Sequence, residues 1–280
     1  MLDCAVIDIG SNSVRLMRVK GGVSEKFLRL TQLGKGLTDR KTLDDNAINS
    51  TIQAIKEFIL LSQDLPVYAF ATEAVRRAQN GGDFIKKVCD ETGVKIDLLT
   101  PEEEAKAGFL GASSNKECSI IDIGGASTEF CYGVGGNIVR AVSTPIGAVK
   151  LKDLCGDNRF DVRGYLDSLF EDFAFEGEII GIGGTITALG AMCAGLKSYN
   201  KEVVHGYRLG VEQIRKIILK LENSSLSEIM KEFPVLPEKR ACVIDAGAKL
   251  LLYLMERYGL DKITLSDTDN TEGYLILRNL

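Results

Sequence analysis

Apolar residues alternate or run unbroken in short stretches that read as strands near 3–9, 14–20 and 25–33. The first two are joined by the turn cluster "GSNS", and "GLTDRKTLDDN" after the third reads as a loop. Ile48, Ile52, Ile55 and Ile59 then recur at helical spacing with polar residues between them. A short strand "VYAF" comes after them. Next come a helix, a glycine break and a second helix within "ATEAVRRAQNGGDFIKKVCDETG", then a strand "KIDLL" and a helix "TPEEEAKAGFLGA".

At residue 118 the pattern restarts as strand, turn, strand, strand and helices. "AVIDIGSNSVRLMRV" at 5–19 and "SIIDIGGASTEFCYG" at 119–133 share one plan: an apolar strand carrying Asp8 or Asp122, a glycine, a small polar cluster, then apolar residues again. This is a duplication at domain scale. The small, polar stretch at 110–118 marks the boundary, which divides the chain into 1–115 and 116–280. The second half is expected to hold a helical region at 145–172, a strand "EIIGIG", and a helix from about 185. Further helices are expected over Val211–Leu221 and Lys239–Arg257, then a strand at 262–266. A short helix at about 270–280 closes the chain, placed where it can pack back on the first domain. Residues 179–196 carry no charge, but their glycines break the run, so a strand, a turn and a buried helix are expected rather than a membrane span.

Composition narrows the classes. The 280 residues are 45% apolar and 26% charged, an ordinary globular mix. A formal net charge of −5 leaves no basic footprint for duplex nucleic acid, although a local site can still bind an anion. Seven scattered cysteines without a C-x-x-C read as buried, reduced thiols of a cytoplasmic protein. With His205 the only histidine, a zinc or haem site is discounted. Asp3 stands where a secretory apolar region would begin, so no signal peptide is expected.

The repeated turn carries the chemistry. A strand ending in glycine and small polar residues can present backbone N–H groups to phosphate. Gly10, Ser11, Asn12 and Ser13 fit this, as do Gly124, Gly125, Ala126 and Ser127. A third turn, Gly183-Gly184-Thr185, opens a helix whose N-terminus also favours anions. Asp8 and Asp122, facing each other beside phosphate oxygens, would make a hard, oxygen-rich site suited to Mg²⁺. In "TPEEEA", Thr100, Pro101 and Glu103 read as a capping box with proline at the first helical position.

These turns resemble those of the actin-like ATPase superfamily and, within it, the exopolyphosphatase/guanosine pentaphosphate phosphatase family. The resemblance covers the chain in order. "AVIDIGSNSVRLMRV", "ATEAVRRAQNGGDFI", "LTPEEEAKAGFLGA", "IIDIGGASTEF", "STPIGAVKL", "GIGGTITAL" and "LSDTDNTEGYL" each match a family motif. The resemblance implies an α/β fold of two duplicated actin-like (ribonuclease H-like) domains with a cleft between them, in a short two-domain form. It implies that Glu104 orients or activates the attacking water, that Arg76 contacts phosphate, and that Glu129 joins Asp8 and Asp122 around a divalent cation.

The implied reaction is release of terminal phosphate from inorganic polyphosphate or guanosine pentaphosphate. Two alternatives are a small-molecule kinase using ATP and a guanosine-polyphosphate-binding regulator with weak turnover. The closing motif has Asn270-Thr271 where the family usually has Leu-Arg, and Gln32 stands where a basic residue often precedes "LG-x-GL". Ala126 also replaces a common third glycine. The lost positive groups argue against long polyphosphate more than against phosphohydrolase chemistry. Arg15 is read as an ion pair or a phosphate contact, Arg77 as a solvated charge and His205 as structural. Apolar helical faces in the second half could serve a homodimer as well as a core.

Overall fold

The computed structural model describes residues 2–114, 116–155 and 162–280. Residue 115, at the expected boundary, and 156–161, inside the expected helical region 145–172, lie outside the described residues. The first half runs β1 (Cys4–Ile9), β2 (Ser13–Lys20), β3 (Val23–Leu30), α1 (Leu37–Arg40), α2 (Asp45–Ser62), β4 (Val67–Ala71), α3 (Glu73–Arg77), α4 (Gly81–Thr92), β5 (Ile96–Leu98) and α5 (Pro101–Ala112). The second begins β6 (Cys118–Ile123), β7 (Thr128–Val134), β8 (Asn137–Thr144), α6 (Ala148–Leu154), α7 (Val162–Leu169), β9 (Glu178–Ile182) and α8 (Gly183–Cys193). It ends α9 (Lys201–Val204), β10 (Arg208–Gly210), α10 (Val211–Glu222), α11 (Leu226–Glu232), α12 (Glu238–Ala241), α13 (Ile244–Arg257), β11 (Lys262–Leu265) and α14 (Asn270–Leu277).

The duplication is visible in the sheets. The first has order β3-β2-β1-β4-β5, and the second β10-β11-β9-β6-β7-β8. In each, an antiparallel three-stranded meander is extended by parallel strands: β4 and β5 beyond β1, β9 and β11 beyond β6. This is the two-domain α/β fold that the sequence pattern implied.

Both faces of each sheet are covered, which is why the strands read as nearly continuous apolar runs. Ala5, Ile7 and Ile9 point into a core shared with Ile48, Ile52, Ile55 and Phe58 of α2. Asp44 caps that helix by accepting from the N–H groups of Asn46 and Ala47. Ile121 and Ile123 pack in the larger core with α8, α10 and α13. The uncharged run at 179–196 is divided between β9 and α8. No helix of the described residues is long and apolar enough to cross a membrane.

The remaining face of each sheet is covered by a helix from the other half. Phe109 and Ala112 of α5 pack on Cys118, Ile120, Cys131 and Ile182 of the second sheet. Tyr274 and Leu275 of α14 pack on Cys4, Val6, Met17 and Phe70 of the first, with the Phe70 and Tyr274 rings stacked at 4.7 Å. Burying a side chain the size of Phe109 contributes about 1.5–3 kcal/mol. The two helices cross at glycines: a Cβ on Gly273 would strike the Ala107 carbonyl oxygen, and one on Gly111 that of Asp269. Because side chains alternate across a strand, Asp8 and Asp122 project from these inner faces.

Residues 239–257, expected as one helix, are two. Val243 separates α12 from α13 with φ −125° and ψ −8°, and the break directs Arg240 inward. The short elements α1, α9, β10 and α11 carry too few apolar repeats to stand out in the sequence.

Candidate active site

The two hairpin turns are built alike. The Gly10 N–H donates to the Ser13 carbonyl at 3.0 Å, and the Gly124 N–H to the Ser127 carbonyl at 3.0 Å. Asp8 lies opposite Arg15 in the strand register, and Asp122 opposite Glu129. The turn carbonyls are engaged from behind. Ala148 and Val149, at the start of α6, donate to the carbonyls of Gly124 and Gly125 at 2.9 and 2.8 Å, and Gly34 donates to that of Ser11 at 2.7 Å. The turns themselves, Gly10 to Ser13 and Gly124 to Ser127, line a cavity of about 60 Å³ between the sheets.

Gly184 and Thr185 of the third turn line the same cavity. Gly183 does not, but it makes the turn possible. Its φ is +84°, and a Cβ there would collide with the Asp122 carboxylate. No side chain caps the N-terminus of α8, so its first N–H groups and positive dipole end are available to an anion.

The carboxylates divide into two sets. Asp8 and Asp122 line the cavity and are buried. Burial pushes Asp8 up to about 6; Arg15, at 3.4 Å, opposes this, while Asp269 and Asp122 add to it. Burial also pushes Asp122 up to about 6, against Arg15, and Asn270 donates to it at 3.1 Å. Glu129 stands outside the cavity lining. It accepts from Ser143 at 2.8 Å, while its Oε2 is buried without a partner. Burial and then the Asp122 charge raise it to about 8.

Glu104 lines the cavity from the first turn of α5. The helix start is set by Thr100, which accepts from the Glu103 N–H while Glu103 accepts from the Thr100 N–H. Glu103 is thus the cap and Glu104 the inward carboxylate. Burial and the neighbouring Glu129 hold Glu104 well above the usual carboxylate range, with Arg76 opposing.

Arg76 is not placed as expected. It lies outside the cavity lining, and its donors go to the Leu99 carbonyl, Glu73 and Glu104, the last at 3.4 Å. In this structure it backs Glu104 and makes no wall of the cavity. Arg77 is half-exposed and lies 3.5 Å from Glu73. His205 accepts weakly from the Asp267 N–H at 3.4 Å.

Sequence reasoning missed Arg240. It lines the cavity wall half-buried, donates to the Gly184 carbonyl, and is lowered to about 10 by desolvation and then by Arg15. The one local signal was the Pro237 that opens α12. Thr72 and Asn270 also enter the lining, neither marked by any pattern of spacing.

Among the described residues no group of three or more His, Cys, Asp or Glu is ready-spaced for a metal. The donor chemistry nonetheless suits a hard cation. Asp8 and Asp122 offer oxygen only, and the buried acceptors Asn12 Oδ1, Glu129 Oε2 and Asn270 Oδ1 have no partner.

Known proteins share this architecture. Residues 23–279 match the Ppx/GppA phosphatase family. The bifunctional 3-dehydroquinate synthase/phosphatase of Fusobacterium nucleatum is 29% identical over 97% of this chain, which spans 46% of that protein's length. Exopolyphosphatase 2 of Mycobacterium tuberculosis is 26% identical, with 96% of each chain covered. The crystal structure of the Aquifex aeolicus Ppx/GppA family member superposes with a TM-score of 0.78 at 32% identity, covering 99% of this chain and 97% of the other. An exopolyphosphatase-like protein reaches 0.87 at 26% identity over 99% of both chains. On its sequence and on its paired hairpin architecture alike, this chain belongs to the Ppx/GppA phosphatase family.

Proposed function

We propose that the chain hydrolyses a terminal phosphoanhydride bond, in inorganic polyphosphate or a guanosine pentaphosphate, by direct attack of water. The observation that carries this reading is Glu104: a buried carboxylate lining the cavity that the three glycine turns also line. Backbone N–H groups of the turns and the start of α8 would hold the phosphate oxygens. Arg15 and Arg240 add positive charge at the wall.

Water placed by Glu104 attacks the terminal phosphorus. The bond to the bridging oxygen breaks, and that oxygen leaves with the shortened chain. Glu104 accepts the proton that water gives up and returns it to solvent. Arg76 holds the Glu104 carboxylate in place and favours its charged form. Asp8 and Asp122, with Glu129 behind, would hold a divalent cation, which when bound neutralises charge on the phosphate oxygens. A bound cation would also lower the raised carboxylates, against the opposite effect of the phosphate chain's own charge.

The test is phosphate release from polyphosphate, guanosine pentaphosphate and ATP, with and without Mg²⁺, for wild type and Glu104→Gln. Removing a positioned general base should cost about 10²–10⁴-fold in kcat. Release by Glu104→Gln at the wild-type rate would contradict the assignment.

A further inference from the structure

Beyond the phosphate cavity lies a larger one of about 290 Å³, and the two share Arg15, Gly184 and Arg240. Its walls are largely apolar, with Phe27, Leu28, Ala188, Val235 and Pro237. Two cations reach it from the first domain, and both are already engaged. Arg15 is ion-paired with Asp269 as well as with Asp8. Lys26 lies 3.7 Å from Asp269 and 2.9 Å from Glu272. Asp269 therefore stands between two cations, buried, on the wall of the second cavity and against the shared Arg15. Asp267 lines the same cavity and adds a second carboxylate, bonded by Tyr199.

We propose that Asp269 is a resident counter-anion that selects the group carried behind the terminal phosphates. It takes the place on Arg15 and Lys26 that a further phosphate would need, so the second cavity suits a short phosphate chain ending in an uncharged, partly apolar group such as a nucleoside. An inorganic polyphosphate chain would carry about one negative charge per phosphate past Asp267 and Asp269 and along an apolar wall, with Arg240 on the shared wall the cation that opposes their repulsion. Like charges held this close oppose binding, most strongly at Asp269, which is itself buried. A nucleoside without a 3′-diphosphate brings no charge there and has a flat apolar body for the Phe27 and Pro237 side. This inference rests on the phosphate-chain reading of the cleft, but it concerns binding and can be tested without turnover.

Asp269 also caps α14, accepting from the Thr271 N–H at 3.2 Å. Asparagine and serine cap helices comparably, so Asp269→Asn and Asp269→Ser remove the charge while keeping the cap. The experiment measures binding of GTP and of inorganic tripolyphosphate by calorimetry, in a Glu104→Gln background and at two salt concentrations. Thermal melting of each variant checks the fold.

Wild-type sequence at Asp269 should favour GTP. Either substitution should tighten tripolyphosphate about tenfold, steepen its salt dependence, and change GTP less than about threefold. A purely structural Asp269 would lower the melting temperature and leave the ratio of affinities unchanged. That result in a folded variant, or tripolyphosphate binding more tightly than GTP with Asp269 present, overturns the proposal. Failure of hydrolysis alongside the predicted affinity ratios would instead strike the reaction and leave this assignment standing.

Discussion

The two hairpins have the same backbone and opposite electrostatics. Each turn is closed by a 3.0 Å bond from its glycine N–H, and each places an aspartate directly opposite one residue of the next strand. In the first hairpin that residue is Arg15, and in the second it is Glu129. Asp8 thus has a cation beside it, while Asp122 has a second acid that is itself raised to about 8. Duplication supplied two equivalent turns that line one cavity. A single cross-strand position then set a cation against Asp8 and an acid against Asp122, although Arg15 opposes the rise of both to about 6. The proposed divalent cation, held by Asp8 and Asp122, would depend most on the acids of the second side.

Breaking the balanced side should have the largest effect on stability. Arg15→Met leaves Asp8 and Asp269 buried without their shared cation. Removing one partner of a buried ionic network costs about 3–5 kcal/mol. Urea unfolding should show it as a lower midpoint with an unchanged slope, and a loss below about 0.5 kcal/mol would show that the pair is not needed.

The unbalanced side makes its own prediction through pH. Glu129 is raised from 4.5 to about 8 in the folded chain. Its contribution to stability is therefore full below its unfolded value and is lost as pH rises through the folded one. In EDTA, melting temperature should fall between about pH 5 and pH 8, and Glu129→Gln should flatten that fall. A melting temperature independent of pH across that window would contradict a Glu129 raised by burial and by Asp122.

The smallest effect concerns how Glu104 is aimed. Thr100→Ala removes the side-chain acceptor at the start of α5. The expected cost is about 1 kcal/mol, measured by chemical unfolding, with a larger proportional loss in kcat than in KM. Equal stability and kinetics would mean that Pro101 and the α14 crossing hold the helix start alone.

Much of this was legible in the sequence, and the rest was not for physical reasons. The hairpins, the Ile48–Ile55 stripe and the Thr100 cap are local patterns, and the structure has them where the periodicity and cap rules put them. The exchange of covering helices was hidden. An apolar stripe reports that a helix is buried but not which sheet buries it, so α5 could not be placed, whereas the closing helix was expected against the first domain. Arg76 matched a family motif, yet Glu73 and Leu99 hold it behind Glu104. Arg240 depends on a helix break at Val243, where apolar residues continue the helical pattern without interruption. Asp269 reads as an ordinary turn residue until Arg15, far away in the chain, is found against it.

The most direct test of the comparison is calorimetric titration with Mn²⁺ of wild type, Glu129→Gln and Asp8→Asn. Loss of an acid that supports or binds the ion costs about 10–100-fold in affinity. A loss of that size is predicted for Glu129→Gln and a smaller one for Asp8→Asn, because Arg15 already offsets Asp8. Wild-type affinity in Glu129→Gln, or a greater loss in Asp8→Asn, would contradict the asymmetry of the two hairpins.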